Sequence, residues 1–208
     1  MIYNISLKVK GLKMEKKIED FAKSNNNIIR TSQFLQLGIS KPTIAKYVRS
    51  GELERLAHGI YAITDTVIDD MFIFSLKCKH SIFSHESALF LNNLSERTPF
   101  RLTVTIPSNK MLPLAMRNTC DCFYIKPKLF TIGVIEKKTT FGNLVRCYNA
   151  ERTICDILRS RTRIDEETIV AAIKNYARSK AKDLFRLYEY SKTFKVSAQV
   201  RKYMEVLL

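Results

Sequence analysis

The sequence is poor in residues that interrupt regular structure and poor in acidic side chains. Its 208 residues include six glycines, five prolines and no tryptophan, and 35 Lys and Arg outnumber 20 Asp and Glu, for a formal net charge of +15. With so few glycines, we find no glycine-rich loop to hold a phosphate through backbone N–H groups. The excess of cations favours a polyanionic partner, such as nucleic acid or an acidic membrane surface.

Apolar runs long enough for a membrane helix, which takes about 20 residues, are also missing. The first residues, Met1–Lys8, lack the basic segment and apolar core of a signal peptide. Five cysteines are an odd number, and the only close pair, Cys120 and Cys122, does not have zinc-knuckle spacing. We therefore expect a cytoplasmic protein with reduced, mostly buried thiols and no membrane partner.

Sequence motifs of hydrolases, zinc proteases and nucleotide-binding proteins are absent. A metal-dependent nuclease needs clustered acids, but Glu151 and Asp156 are five residues apart, about 140° around a helix, and do not share a face. Arg152 is expected to pair at the surface near a helix N-terminus. We predict that the chain is not an enzyme and holds no metal or cofactor.

The positive charge is spread along the chain. Residues 1–64 carry 11 basic and 5 acidic side chains, residues 65–150 carry 11 and 7, and residues 151–208 carry 13 and 8, for net charges of +6, +4 and +5. Because no basic tail accounts for the total, the charge belongs to folded surfaces.

The first amphipathic segment begins at Met14. Residues 1–13 are an N-terminal extension, and the sequence leaves open whether translation starts at Met1 or at Met14. Apolar residues from Met14 to Ala22 recur at helical spacing. The polar run Ser24–Asn27 then predicts a loop.

Two short helices follow with the spacing of a helix-turn-helix. Thr31–Ser32 caps the first, which ends at Gly38, and Ser40 caps the second, which runs over about 41–50 with Pro42 in its first turn. The alternative is an ordinary helical hairpin with a solvated basic face. The second helix is expected to bury Ile44 and Val48 and to expose cationic, hydroxyl and aromatic groups: Lys41, Thr43, Lys46, Tyr47 and Arg49.

Two β-like runs, Leu53–Leu56 and Gly59–Ile63, then surround Ala57 and His58. A tight hairpin after a recognition helix is the wing of a winged helix, which places Arg55 and His58 beside the DNA backbone. We predict a winged helix-turn-helix over residues 14–65. Its predicted DNA-binding residues are Ser40, Lys41, Thr43, Lys46, Tyr47, Arg49, Arg55 and His58.

Residues 66–208 predict a second, mixed domain. Ser84 is expected to cap a helix through Leu91, with Glu86 completing a capping box, and His85 is expected to be structural. Strand-like segments are Ser81–Phe83, Arg101–Ile106, Cys122–Ile125, Phe130–Ile135 and Phe141–Tyr148, with a turn at Glu136–Thr140 between the last two. Helices are expected over about 67–75, 150–160, 165–178, 180–191 and 197–207. The fold class is thus α+β: a winged helix-turn-helix, then an α/β domain with a small sheet and a helical C-terminus (150–208).

Two basic clusters lie in this helical region. They are typical of solvated helix faces, or they form a second surface for a DNA backbone or for RNA. The residues are Arg159, Arg161 and Arg163 in one cluster and Arg178, Lys180, Lys182 and Arg186 in the other.

The order of four segments resembles that of AbiEi-type antitoxins. Ser40–Tyr61 is similar to that family's winged helix with its G-x-L-x-R-L-x-x-G-x-Y wing. Phe83–Leu89, Leu102–Pro107 and Tyr148–Leu158 are similar to its S-H-x-S-A-L segment, its V-T-V-P strand and its E-R-T helix start. The resemblance covers about residues 15–160 and weakens beyond.

The resemblance implies an antitoxin of a type IV toxin–antitoxin system, directed against bacteriophage through abortive infection. Such a protein binds double-stranded operator DNA in its own promoter. Its C-terminal domain neutralises a nucleotidyltransferase-like toxin, without needing to bind it directly. The alternatives are a stand-alone winged-helix regulator whose second domain senses a ligand or mediates oligomerisation, and a nuclease fused to a winged helix.

Overall fold

A computed structural model describes residues 14–207, so the predicted extension 1–13 and the choice between Met1 and Met14 lie outside the described residues. The chain divides into two compact units between Ile73 and Phe74. The domain boundary predicted after residue 65 falls in the segment before the helix at Asp70–Lys77 and stays a prediction.

The first unit has the element order of a winged helix. Both pairings of its three-stranded sheet are antiparallel, in the order β1-β3-β2. The elements are α1 (Lys16–Ser24), β1 (Ile28–Arg30), α2 (Thr31–Gln36), α3 (Lys41–Arg49), β2 (Leu53–Ala57) and β3 (Ile60–Ile63).

The core of this unit lies between the three helices and the sheet. Ile18, Phe34 and Ile44 each place a buried side chain there from a different helix, and Leu53 joins them from β2. The Phe34 ring meets the Tyr61 ring edge-on, with centroids 5.8 Å apart. The apolar spacing that predicted α1 and α3 therefore marks the face that packs.

The start of α2 differs from the prediction. Ile28 and Ile29 are buried in β1, which pairs with β3, and the helix starts directly at Thr31. The predicted cap at Thr31–Ser32 is wrong, because Arg30 is the residue before the helix and its N–H donates to the Gln33 side chain at 2.8 Å.

The second unit is built on a five-stranded mixed sheet in the order β6-β5-β4-β8-β7. The pairs β4–β5 and β7–β8 are antiparallel, and β4–β8 and β5–β6 are parallel. The prediction of an α+β fold with a small sheet is confirmed. The strands are β4 (Ile82–Phe83), β5 (Leu102–Pro107), β6 (Cys120–Ile125), β7 (Val134–Lys138) and β8 (Leu144–Tyr148).

Helices cover this sheet and form the C-terminal region. They are α4 (Asp70–Lys77), α5 (His85–Leu91), α6 (Pro127–Phe130), α7 (Ala150–Arg159), α8 (Glu166–Arg178), α9 (Leu184–Thr193) and α10 (Ser197–Leu207), with a 3-10 turn at Leu114–Met116. The helix predicted from residue 180 begins four residues later, because the Asp183 carboxylate accepts from the Arg186 N–H at 2.8 Å.

The β7–β8 hairpin turns later than predicted. Glu136 lies inside β7, and the Thr139 N–H donates to the Asn143 carbonyl across the loop. Gly142 supplies a positive φ of 83° there, a conformation that costs glycine little. The strand predicted over 130–135 starts later, at Val134, because α6 occupies Pro127–Phe130 and a turn follows it.

The predicted capping box at Ser84 is wrong. Ser84 precedes α5, but its fully buried hydroxyl contacts Thr105 Oγ1 and His85 Nδ1, each at 2.9 Å, instead of the helix N-terminus. His85 is buried, its Nε2 lies 3.1 Å from Ser160 Oγ, and its ring stacks on Phe123 at 3.5 Å. Burial, then the charges of Arg159 and Arg163, lowers its pKa well below the usual value. His85 is structural, as predicted.

Arg152 is the largest fully buried side chain of the described residues, so its predicted surface pairing is wrong. Its Nε donates to Asp156 at 2.9 Å, and its Nη1 donates to the carbonyls of Leu129 and Ile132 at 3.0 and 2.9 Å. Its guanidinium lies between the rings of Tyr148 and Phe194, 4.1 and 3.9 Å from their centroids. One cation thus joins α7 to the segment before β7 and to the end of α9.

We predict that Asp156→Ala destabilises the chain by about 3–5 kcal/mol, because the substitution leaves the Arg152 charge buried without its carboxylate. Urea unfolding followed by circular dichroism measures the effect. Arg97→Ala is the matched control, since the Arg97–Glu167 pair spans 3.8 Å with both side chains more than four-fifths exposed and such pairs contribute little. Equal effects of the two substitutions would contradict the assigned role of Arg152.

Candidate nucleic-acid interface

The turn between α2 and α3 fixes where the second helix begins. Gly38 adopts a φ of 79°, and Ser40 Oγ accepts from the Thr43 N–H at 3.4 Å and lies 2.9 Å from Thr43 Oγ1. Pro42 occupies the first turn, where a missing N–H costs nothing. The predicted cap at Ser40 is confirmed, and Ser40 and Thr43 stand together at the exposed start of α3.

Three cations lie on the exposed face of α3. Lys41, Lys46 and Arg49 are all exposed, and at 100° per residue they span an arc of about 140°. The opposite face carries Ile44, which is 2% exposed. The helix therefore presents one cationic face to solvent and one apolar face to the core.

Tyr47 does not lie on this cationic face. It is 2% exposed and belongs to the core of the unit, so its predicted place among the exposed residues is wrong. Tyr47 and Val48 lie on either side of Ile44 on the same face of the helix, about 60° and 40° away from it. The structure buries the larger side chain and leaves Val48 half-buried. Tyr47 packs α3 against the unit.

The wing is a two-stranded ribbon with a short tip. Arg55 Nη2 donates to His58 Nδ1 at 3.3 Å, and Arg55 Nε donates to the Ala57 carbonyl at 3.4 Å. Gly59, with a φ of 70°, closes the turn, and its carbonyl accepts from the Thr31 N–H at 2.9 Å. Both predicted wing residues are exposed and held together.

Alternation along β2 separates its charges. Arg55 pairs with Tyr61 and lies on the same face as Leu53, which is buried against the helices. Glu54 pairs with Ala62 and points to the other face. The wing therefore directs its cation to the helix side of the sheet and its acid away.

Arg30 is a candidate that the sequence reading missed. It is exposed, directly precedes α2, and pairs with Ile60, the first residue of β3 after the turn at the wing tip. The sequence reading missed it because β1 has only three residues and its partner strand lies about thirty residues later.

The seven residues of the predicted second basic surface are not equivalent. Arg159 pairs with Asp156 at 3.2 Å, and Arg186 lies 3.9 Å from Glu151 and 3.3 Å from Asp183. Glu151 and Arg159 stand eight residues apart on α7, a rise of about 12 Å, so the two clusters lie at opposite ends of that helix. Arg163 lies over the Phe123 ring and Lys182 donates to the Ser179 carbonyl, whereas Arg161, Arg178 and Lys180 are exposed.

The acids of α7 serve structure. Tyr176 Oη and the Asp183 N–H both donate to Glu151 Oε1, at 3.1 and 3.2 Å, while Asp156 faces the two arginines. Burial raises the pKa of Asp156, and Arg152 and Arg159 oppose that rise. The two carboxylates have separate partners, as their spacing predicted.

The cysteine thiols are mostly buried. All five cysteines are free and four are buried, and burial raises the pKa of Cys120, Cys147 and Cys155 to about 12. Within residues 14–207, no cluster of three His, Cys, Asp or Glu is arranged to hold a metal ion. Of the helices described there, none combines the length and apolarity needed to cross a membrane.

Comparisons with known proteins identify the first unit. Residues 16–64 match the family model described as "Transcriptional regulator, AbiEi antitoxin", which confirms the predicted resemblance over that segment. This family consists of regulators and not of enzymes. The match covers α1 to β3 and so includes the cationic face of α3 and the wing.

A solved structure aligns with residues of both units. The crystal structure of the RV2827C protein from Mycobacterium tuberculosis aligns with a TM-score of 0.60 and 12% identity, over 91% of this chain and 80% of that one. At this identity the likeness concerns the fold. A comparison with curated proteins gave no significant match.

We predict that Tyr47→Ala lowers the stability of the chain by about 3–5 kcal/mol, the usual cost of removing a buried aromatic ring. Lys46→Ala, one residue earlier on the exposed face, should change stability by less than about 0.5 kcal/mol. Thermal unfolding of the two variants separates the roles. If Tyr47→Ala left the thermal stability unchanged, the ring would have to lie in solvent, as the sequence pattern predicted.

Proposed function

We propose that this protein is the antitoxin of a bacterial abortive-infection toxin–antitoxin system and represses its own operon by binding promoter DNA. The observation that carries the proposal is the pairing of a capped helix bearing three exposed cations with a wing that follows it directly. The family match over residues 16–64 supports an antitoxin-type regulator.

In this proposal α3 enters the major groove of the operator. Lys46 and Arg49 meet base edges or phosphates, and the hydroxyls of Ser40 and Thr43 add hydrogen-bonding groups at the helix start. Lys41 stands beside them at the N-terminus. Tyr47 sets the angle of the helix from within the core and does not touch DNA.

The wing extends the contact along the DNA backbone. Arg55 and His58 act as one unit, because the hydrogen bond between them places the guanidinium beside the wing tip. Arg30, which pairs with Ile60 beside the wing tip and directly precedes α2, supplies a further phosphate contact. The binding surface thus has a sequence-reading helix and two flanking backbone contacts.

The second unit is proposed to neutralise the toxin. The family resemblance suggests a nucleotidyltransferase-like toxin, a role in defence against bacteriophage and a cytoplasmic location, and neutralisation without direct binding. The four segments that carry the resemblance include β5 and the start of α7, which belong to the second unit.

A stand-alone winged-helix regulator is the second candidate. The observation in its favour is that the family match ends at residue 64 and leaves the second unit unmatched. The neighbouring gene discriminates between the two: a nucleotidyltransferase-like reading frame beside this one supports the antitoxin, and its absence supports the regulator.

We predict that Lys46→Ala combined with Arg49→Ala abolishes binding to the promoter of the chain's own operon while leaving the fold intact. At the lowest salt concentrations, any residual binding should show a salt slope smaller in magnitude by about 1 for each of the two cations that contacts a phosphate. Fluorescence anisotropy with labelled promoter DNA at several salt concentrations measures both quantities.

The charge-matched control removes two exposed cations from α1, Lys16→Ala with Lys23→Ala. This variant has the same net charge as the first but keeps the α3 face, so its promoter affinity should stay within about threefold of the parent. If both variants lose affinity equally, general charge attraction explains binding and α3 is not the reader.

We also predict that the Lys46→Ala, Arg49→Ala variant still neutralises the toxin. When it is expressed from an unrelated promoter together with the neighbouring nucleotidyltransferase-like protein, growth should recover as with the parent chain, while a reporter on the native promoter is derepressed. Failure of growth recovery with normal protein levels would show that neutralisation passes through the DNA-binding face.

A further inference from the structure

One face of α9 carries large apolar side chains that the fold does not cover. Leu184, Phe185 and Tyr188 are 42%, 77% and 50% exposed. At 100° per residue they lie within an arc of about 100°, and Leu187 and Ser191 bury the other side of the helix. Phe185 and Tyr188 are three residues apart, so their rings are neighbours on the helix surface.

The segment that carries this stripe is rich in cations. Residues 178–192 contain five, Arg178, Lys180, Lys182, Arg186 and Lys192, against the two acids Asp183 and Glu189, for a net charge of +3. Lys192 Nζ lies 4.0 Å from the centroid of the Tyr188 ring. Aromatic rings are therefore interleaved with positive charge over one helix and the turn before it.

The stripe is held rigidly at its start. Glu151 accepts from the Asp183 N–H and from Tyr176 Oη, and the Asp183 carboxylate caps α9. Arg186 adds contacts to both acids. These contacts fix the backbone of the turn from α8 to α9 and so the start of the helix that carries the rings.

We propose that this α9 surface binds single-stranded RNA, with bases stacked on Phe185 and Tyr188 and phosphates beside Arg178 and Lys180. Unpaired bases offer faces to aromatic rings, whereas the bases of a duplex are stacked on each other. The net charge suits a phosphate backbone better than an apolar peptide, and unpaired strands in a cell are chiefly RNA. The proposal does not depend on the winged helix or on any toxin.

The test uses the full chain carrying Lys46→Ala and Arg49→Ala, so that the winged helix does not contribute. Anisotropy of a labelled, unstructured 12-nucleotide RNA is measured for this background and for the same background with Phe185→Ala and Tyr188→Ala. We expect at least a tenfold loss of affinity from the two ring deletions, because stacking typically contributes ~1–3 kcal/mol per base. The slope with salt should stay unchanged, since no charge is removed.

The matched control deletes another exposed Phe and another exposed Tyr of the second unit, Phe100→Ala with Tyr124→Ala, which are 101% and 54% exposed. Full affinity in this control, with the loss confined to the α9 variant, supports the proposal. An unchanged affinity in the α9 variant, or the same loss in the control, overturns it.

A second arm separates the nucleic acids and the partner class. Duplex DNA of the same sequence should bind more weakly than the RNA and respond less to the α9 substitutions, because its bases are stacked on each other. Equal binding and equal loss with the duplex would overturn the assignment to an unpaired strand. Absence of RNA binding together with loss of a bound protein in the α9 variant would assign the surface to protein docking.

Discussion

The buried Arg152–Asp156 pair is the contact on which the second unit depends. Burying a guanidinium costs the free energy of its hydration, and contacts within the protein must offset that cost. The contacts of Arg152 come from α7, from the segment before β7 and from the end of α9. Gly133 belongs to the same arrangement, since a Cβ there would stand 2.8 Å from Arg152 Cβ. The pair therefore holds sheet and helices in one arrangement, and Glu151, one residue earlier, does the same for the turn into α9.

The first unit is held in a different way, by apolar packing under a polar surface. Its helix caps and turns are local, and residues close to one another in the sequence encode them. The start of α3 is fixed by three nearby residues, Gly38, Ser40 and Pro42, and does not depend on the rest of the chain. The prediction of that helix is confirmed. The wing is as local as the turn, because β2 and β3 are joined by two residues.

Features that depend on distant partners were not predictable from residue patterns. β1 has three residues and pairs with β3 some thirty residues later, so no period reveals it. Helical spacing allows either Tyr47 or Val48 to be the buried neighbour of Ile44, and the space available beneath α3 decides between them. Arginine is usually exposed, so the burial of Arg152 could not be expected from its type. The Ser84 hydroxyl contacts Thr105, which is twenty-one residues away, and no local pattern indicates that contact. The exposed cations of α3 were predictable because exposure needs no partner.

The burial of Tyr47 links two properties that are usually separate. The Tyr47 ring lies on the same part of α3 as Lys46 and Arg49. A change that weakens core packing beneath α3 therefore also shifts the helix face that carries these two cations. Under the proposed function, heat or a remote cavity in the first unit would then weaken promoter binding, as the loss of a cation would. Variants that derepress the proposed operon should consequently include core positions as well as surface ones, and those in the core should recover at low temperature.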